Sequence, residues 1–172
     1  AIVENCILNC LKAIEGVSAE IIVVNDSKSH ALQLNLKSSF VSVYNNPKSG
    51  VASARNFAAS KAKGEILLFL DDDMLIFAEN IQDTLNLHAQ NPNYFLNLNW
   101  TYPPELDAKN AKTKFGRYLI HYGFNSLKGW NRNLHWEEDS LFEVNGLTSQ
   151  YFSCSKHNFE QLRGYDEKFP LA

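Results

Sequence analysis

The stretch Ile66-Leu67-Leu68-Phe69-Leu70-Asp71-Asp72-Asp73 decides the fold. Five apolar residues in a row have the length and composition of a strand buried on both faces, the pattern of a parallel α/β sheet. Three carboxylates follow without a break. Placed at the C-terminal end of such a strand, they stand at the mouth of a crevice where α/β sheets bind ligands. Like charges in series repel, so a purely structural turn would need fewer of them. A hard divalent cation carrying phosphate groups accounts for the cluster. A solvated acidic turn or a helix N-cap is the competing explanation, since Asp suits both.

Outward from that junction, the first half of the chain alternates helix and strand. Glu4 to Glu15 reads as a helix with Ile7, Cys10, Leu11 and Ile14 on one stripe. Glu20 to Asn25 carries the β-branched run Ile21-Ile22-Val23-Val24. Ala31 to Lys37 fits either an alternating strand or a short helix, and Phe40 to Tyr44 reads as a strand closed by Asn45-Asn46-Pro47. Gly50 precedes an Ala-rich helix from Val51 to Lys63, and Glu79 to Gln90 reads as a helix stopped at Asn91-Pro92. Short links between these elements argue for a parallel α/β sheet.

The second half lacks that rhythm. Tyr94 to Trp100 alternates like a half-exposed strand, Thr101 to Asp107 reads as a Pro-containing loop, and Thr113 to Tyr122 reads as a helix. Gly123 to Trp136 shows no clean period. Leu141 to Val144 and Gln150 to Cys154 read as short strands, with Ser155 as the N-cap of a helix ending near Gly164. No linker or repeat divides the chain. The expected organisation is one domain over residues 1–172, with a regularly alternating half at 1–92 and an irregular, aromatic-rich half at 93–172.

Composition narrows the class. The 172 residues are 45% hydrophobic and 20% charged, which is globular. A net charge of -3 without a long basic run argues against a nucleic-acid surface. No apolar run approaches the roughly 18 residues of a membrane span, and no signal peptide is visible. Cys6, Cys10 and Cys154 lack metal-ligand spacing and read as buried thiols of a reducing cytoplasm. The expected location is therefore cytoplasmic, including the inner face of a membrane.

Four segments in order resemble glycosyltransferase family 2 with the GT-A fold. They are Ile21-Ile22-Val23-Val24-Asn25-Asp26-Ser27, Gly50 to Asn56, Lys63 to Asp73, and Arg163-Gly164-Tyr165-Asp166-Glu167-Lys168-Phe169. The last is similar to the family's Gly-Gly-Phe-Asp-Glu-x-Phe segment. The resemblance implies an α/β, GT-A-like fold with a mostly parallel central sheet flanked by helices. It implies inverting transfer of a sugar from a UDP-sugar, or another nucleoside diphosphate sugar, to a hydroxyl on a glycan or lipid-linked acceptor. It also implies Mn²⁺ or Mg²⁺ at the Asp-x-Asp position, with Asp73 on the metal and Asp71 on the ribose or the metal through water. Asp72 becomes the ligand if the register shifts by one. Asp26 and Arg55 are implied on the donor, beside Asp71 and Asp72, and Asp166 and Glu167 on the acceptor side.

The family usually opens with a strand ending in a Pro-Thr-Tyr-Asn-like segment and places a Glu-Asp pair shortly after the position of Phe169. Neither stands in these residues, so the chain reads as an incomplete domain whose catalytic base lies beyond Ala172. Trp100, Trp130 and Trp136 suit either packing or stacking on sugar rings, and Trp130 is taken as an acceptor-side residue. Glu137-Glu138-Asp139 offers a stand-in base or a plain acidic loop. His121, His135 and His157 are isolated. Peripheral membrane association and a homodimer are both left open. Two rival readings are a non-catalytic nucleotide- or carbohydrate-binding module and a sugar-nucleotidyltransferase, the latter lacking its Gly-rich phosphate loop here.

Overall fold

The computed structural model describes residues 2–137, 140–144 and 146–169. Twelve elements follow along the chain: α1 (Ile2–Ala13), β1 (Ile21–Asn25), β2 (Val41–Asn45), α2 (Val51–Lys61), β3 (Ile66–Leu70), α3 (Ala78–Gln90), β4 (Leu96–Asn97), α4 (Pro104–Asn110), α5 (Lys114–His121), α6 (Leu127–Trp130), β5 (Tyr151–Ser155) and α7 (Lys156–Gln161).

The sheet departs from expectation. β1 and β2 pair in parallel, Ile21 opposite Val41 through Asn25 opposite Asn45. β3 instead pairs antiparallel with β5, Ile66 opposite Ser155 and Leu70 opposite Tyr151. β4 adds to the other edge of β5, also antiparallel. The described strands therefore form a two-stranded parallel pair and a three-stranded antiparallel sheet in the order β3-β5-β4, not one central parallel sheet. The apolar run of β3 has the anticipated cause all the same. Leu67 and Phe69 face one core with Ala59, Phe152, Cys154 and Phe159, while Leu68 and Leu70 pack on the other with Cys6, Cys10, Ala13, Ile76 and Ile81. Helices cover both faces, so every position is apolar. That pattern records burial and carries no information on strand direction.

The first core is aromatic. Phe69 stacks on Phe152 at 5.7 Å, lies 5.1 Å from Phe159 and receives the edge of Tyr165 at 5.5 Å. Each such pair adds about 0.5–1.5 kcal/mol beyond its buried area. These contacts fasten β5, late in the chain, onto β3, so the two sequence halves share one sheet.

Three further expectations change. Ala31 to Lys37 forms neither helix nor strand, and Leu141 to Val144 is not a strand. Thr101 to Asp107 is only partly a loop, because Pro103 and Pro104 start α4. Proline fits a helix N-terminus, where its missing N–H would have no intrahelical partner. Ser155 does cap α7, accepting from the Asn158 N–H at 3.1 Å.

His88, on α3, is buried and shares a 3.0 Å hydrogen bond between Nε2 and Ser153 Oγ. Its Nδ1 has no partner among the described residues. Burial holds its pKa below the ordinary histidine value. The unfolded chain therefore takes up the proton first, and native stability is complete above the unfolded pKa and lost as pH falls toward the folded one. Lowering the pH from about 7 to about 5 should therefore reduce the stability held at this site, read as a lower Tm. His88→Gln should flatten that step; an unchanged slope in the variant would assign the pH dependence elsewhere.

Candidate active site at the strand ends

Two strand ends and one helix build the site. At the end of β1, Asn25 turns its amide onto His30 O at 2.8 Å and Asn45 Oδ1 at 3.2 Å, knitting the parallel pair shut. Asp26 follows. Its Oδ2 accepts from the Gly50 N–H at 3.0 Å, and its Oδ1 accepts from Asn46 Nδ2 at 2.6 Å. Asp26 thus ties the end of β1 to the turn that launches α2, and a carboxylate there also complements the positive end of the helix. Gly50 has φ 108°, a conformation open to glycine.

Arg55 projects from α2 to the end of β3. Its Nη2 donates to Asp71 Oδ1 at 2.8 Å, and the guanidinium lies 5.5 Å from the ring centre of Tyr165. Arg55 is only 16% exposed, so solvent screens the pair weakly on that side. Burial pushes the Asp71 pKa up and Arg55 pulls against it, with Asp73 and Asp72 adding smaller upward contributions. The Asp71 N–H donates to Gln150 O at 3.3 Å, which anchors it to the strand partner. Asp72 and Asp73 stand in the exposed turn just beyond.

Asn56 makes the third join. Its Oδ1 accepts from the Tyr165 N–H at 2.8 Å while its Nδ2 donates to Tyr165 O at 2.9 Å. The same Nδ2 lies 3.1 Å from Glu167 Oε1, and Lys48 Nζ reaches Glu167 Oε2 at 2.6 Å. Lys48 first, and Asn56 second, hold the Glu167 pKa below its ordinary value. The segment 164–169 is therefore stitched to α2 and covers Arg55 with Tyr165.

α2 links the sequence-predicted residues: Asp26 through Gly50 at its N-terminus, Asp71 through Arg55 and Glu167 through Asn56, with Asp72 and Asp73 following Asp71. Asp166 sits in the same turn as Glu167, its Oδ1 accepting from the Lys168 N–H at 3.0 Å. Trp130 is not joined to them by any hydrogen bond or ring contact among the described residues; it packs edge-on to Phe124 at 5.2 Å. Trp100 is buried and Trp136 packs against Phe142. Glu137 pairs with His135 at 3.2 Å on the surface, while Glu138 and Asp139 lie outside the described residues. The contributions of Asn56, Tyr165 and Lys48 are not legible at sequence level. An amide inside an alanine-rich helix is the one signal that points to Asn56.

The donor set suits a divalent cation that takes most of its ligands from phosphate and water. Among the described residues no three His, Cys, Asp or Glu side chains converge into a protein cage. What the turn offers is two exposed carboxylates, Asp72 and Asp73, beside one whose charge Arg55 already offsets. Mg²⁺-type ions bind in this way, through one or two carboxylates plus substrate oxygens.

Gly164 has φ +69°, and a Cβ added there would fall inside contact distance of Asn56 Oδ1. Gly164→Ala should therefore cost about 1–2 kcal/mol, read as a lower denaturant midpoint. Gly146→Ala, where a Cβ meets open space, should stay within about 0.5 kcal/mol.

A model of the Glycosyl transferase family 2 domain matches residues 1–143. An "Uncharacterized glycosyltransferase" of Haemophilus influenzae is 34% identical over 87 residues, 49% of this chain and 28% of that protein. The mouse "Inactive polypeptide N-acetylgalactosaminyltransferase-like protein 5" is 22% identical over 142 residues, 76% of this chain and 31% of that protein. The chain thus spans about a third of the length of these relatives.

Proposed function

Because the chain belongs to glycosyl transferase family 2, we propose that it acts on a nucleoside diphosphate sugar, UDP-linked in the first instance. The sugar passes, with inversion, to a hydroxyl of a glycan or lipid-linked acceptor. The observation that carries this reading is the Arg55–Asp71 ion pair at the end of β3, next to the exposed Asp72 and Asp73. It concentrates acidic groups beside a fixed cation at one strand end, an arrangement suited to a metal-bound diphosphate.

Asp73 is the proposed metal ligand, with Asp72 as its neighbour in the turn and the free oxygen of Asp71 available to the donor ribose or a metal-bound water. Mn²⁺ or Mg²⁺ bound there would offset the negative charge of the departing diphosphate without a proton transfer. Asp26 lies across α2 at the end of β1 and lines the nucleoside side. Arg55 opposes the upward push of burial on the Asp71 carboxyl. Glu167, ordered by Lys48 and Asn56, together with Asp166, faces the acceptor side; Trp130 remains the candidate for sugar stacking. No residue is assigned here as the base that takes the acceptor proton.

A second reading is donor binding without turnover. It draws on the mouse relative, whose name calls it inactive.

Release of UDP from a panel of UDP-sugars in the presence of Mn²⁺ separates the two. Wild type should turn over donor, and Asp73→Ala should lose on the order of 100-fold or more. Retained turnover in Asp73→Ala would remove the residue from the metal site. Metal-dependent UDP binding with no turnover of any donor would favour the second reading.

A further inference from the structure

Between residues 108 and 136 the chain holds six of its sixteen Lys and Arg residues and no Asp or Glu, although its net charge is -3. The six are Lys109, Lys112, Lys114, Arg117, Lys128 and Arg132, and none is in a salt bridge among the described residues. The same segment exposes large aromatic rings. Phe115 is 70% exposed, Trp130 64%, Tyr118 50% and Tyr122 44%.

These rings are contiguous. Phe115 stacks on Tyr118 at 6.5 Å, Tyr118 lies 4.7 Å from Tyr122 and 6.3 Å from Phe124, and Phe124 meets Trp130 at 5.2 Å. Arg132 stands 5.9 Å from the Phe124 ring centre. Helical spacing sets Phe115, Tyr118 and the C-cap Tyr122 on one stripe of α5, and Lys114, Arg117 and His121 on the stripe beside it.

Packing fixes which way the helix faces. A Cβ on Gly116 would collide with the backbone of Asn110, and one on Gly129 with the backbone of Gly123. The inward side of α5 is therefore the side of Gly116, pressed against the end of α4, with Leu119 and Ile120 half-buried. The aromatic side has no place in the core.

We propose that α5, with the loop to Trp130, is a docking surface for a bilayer carrying anionic lipid. Aromatic rings of this kind seat at the headgroup level, and the neighbouring cations meet the negative surface potential. A neutral oligosaccharide would use the rings but leave six cations without partners. A nucleic acid would use both, yet the stripe of cations beside a stripe of rings matches a flat two-layer surface better than a single strand. No helix among the described residues is long and apolar enough to cross a membrane, and the contact proposed here is one of surface residues. The proposal does not depend on the transferase reading, because its readout is partitioning and not turnover.

Sedimentation of the full chain with vesicles tests it. The protein should bind phosphatidylcholine vesicles containing phosphatidylglycerol, bind phosphatidylcholine alone at least tenfold more weakly, and be released by high salt. Lys112→Gln, Lys114→Gln and Arg117→Gln together should weaken binding on the order of 100-fold, at about fivefold per cation. Phe115→Ser with Tyr118→Ser should weaken it about tenfold or more. All positions are exposed, and circular dichroism should show unchanged folding. Equal binding to neutral and anionic vesicles, no binding to either, or no effect of the charge variant would overturn the proposal. Displacement from vesicles by single-stranded RNA or by a soluble oligosaccharide at the same salt would also overturn it, in favour of that ligand.

Discussion

Asp71 is half-buried at the end of a strand and followed at once by two more carboxylates. Arg55 makes that arrangement tenable. Its guanidinium, 2.8 Å from Asp71 Oδ1, opposes the desolvation that would otherwise favour the protonated acid. Arg55 is in turn held by Tyr165, whose ring it faces, and Tyr165 is held through both its backbone polar groups by Asn56. The acidic turn, α2 and the segment 164–169 are therefore one mechanical unit. Disturbing any member shifts the position of the others, because each has few alternative partners in a close-packed setting.

Much of this was written in local sequence. The run from Ile66 to Leu70 announced a strand covered on both faces, and the helices α1, α2 and α3 follow their apolar periodicity with ends shifted by a residue or two. The resemblance points to Asp26, Arg55 and the three aspartates, which the fold sets after β1, on α2 and after β3. Strand direction was not legible, since burial on both faces reads the same for parallel and antiparallel neighbours. The partner of β3 is β5, and a pairing between residues 66–70 and 151–155 leaves no trace in either segment alone.

The site contacts that local sequence does not mark join residues far apart in the chain. Asn56 recognises the N–H and C=O of Tyr165, which every residue except proline presents, so no side-chain pattern marks the partner. Lys48 and Glu167 are an ordinary charge pair until folding places them 2.6 Å apart across 119 residues. Asp26 shows the converse. The residue type is plain in the sequence, but its two oxygens serve Gly50 and Asn46, so the carboxylate has a structural duty that the sequence does not show.

The pairing of β3 with β5 has a temporal consequence. A ribosome delivers the five apolar residues of β3 some eighty residues before the strand that hydrogen-bonds to them. Until then only helices emerging on either side can shelter that segment, and its open edge can recruit other nascent chains. Closing so long a loop is slow compared with forming the local helices. The clasp between Asn56 and Tyr165, 109 residues apart, can close only after that, so the acidic turn gains its cover later than the strand that carries it.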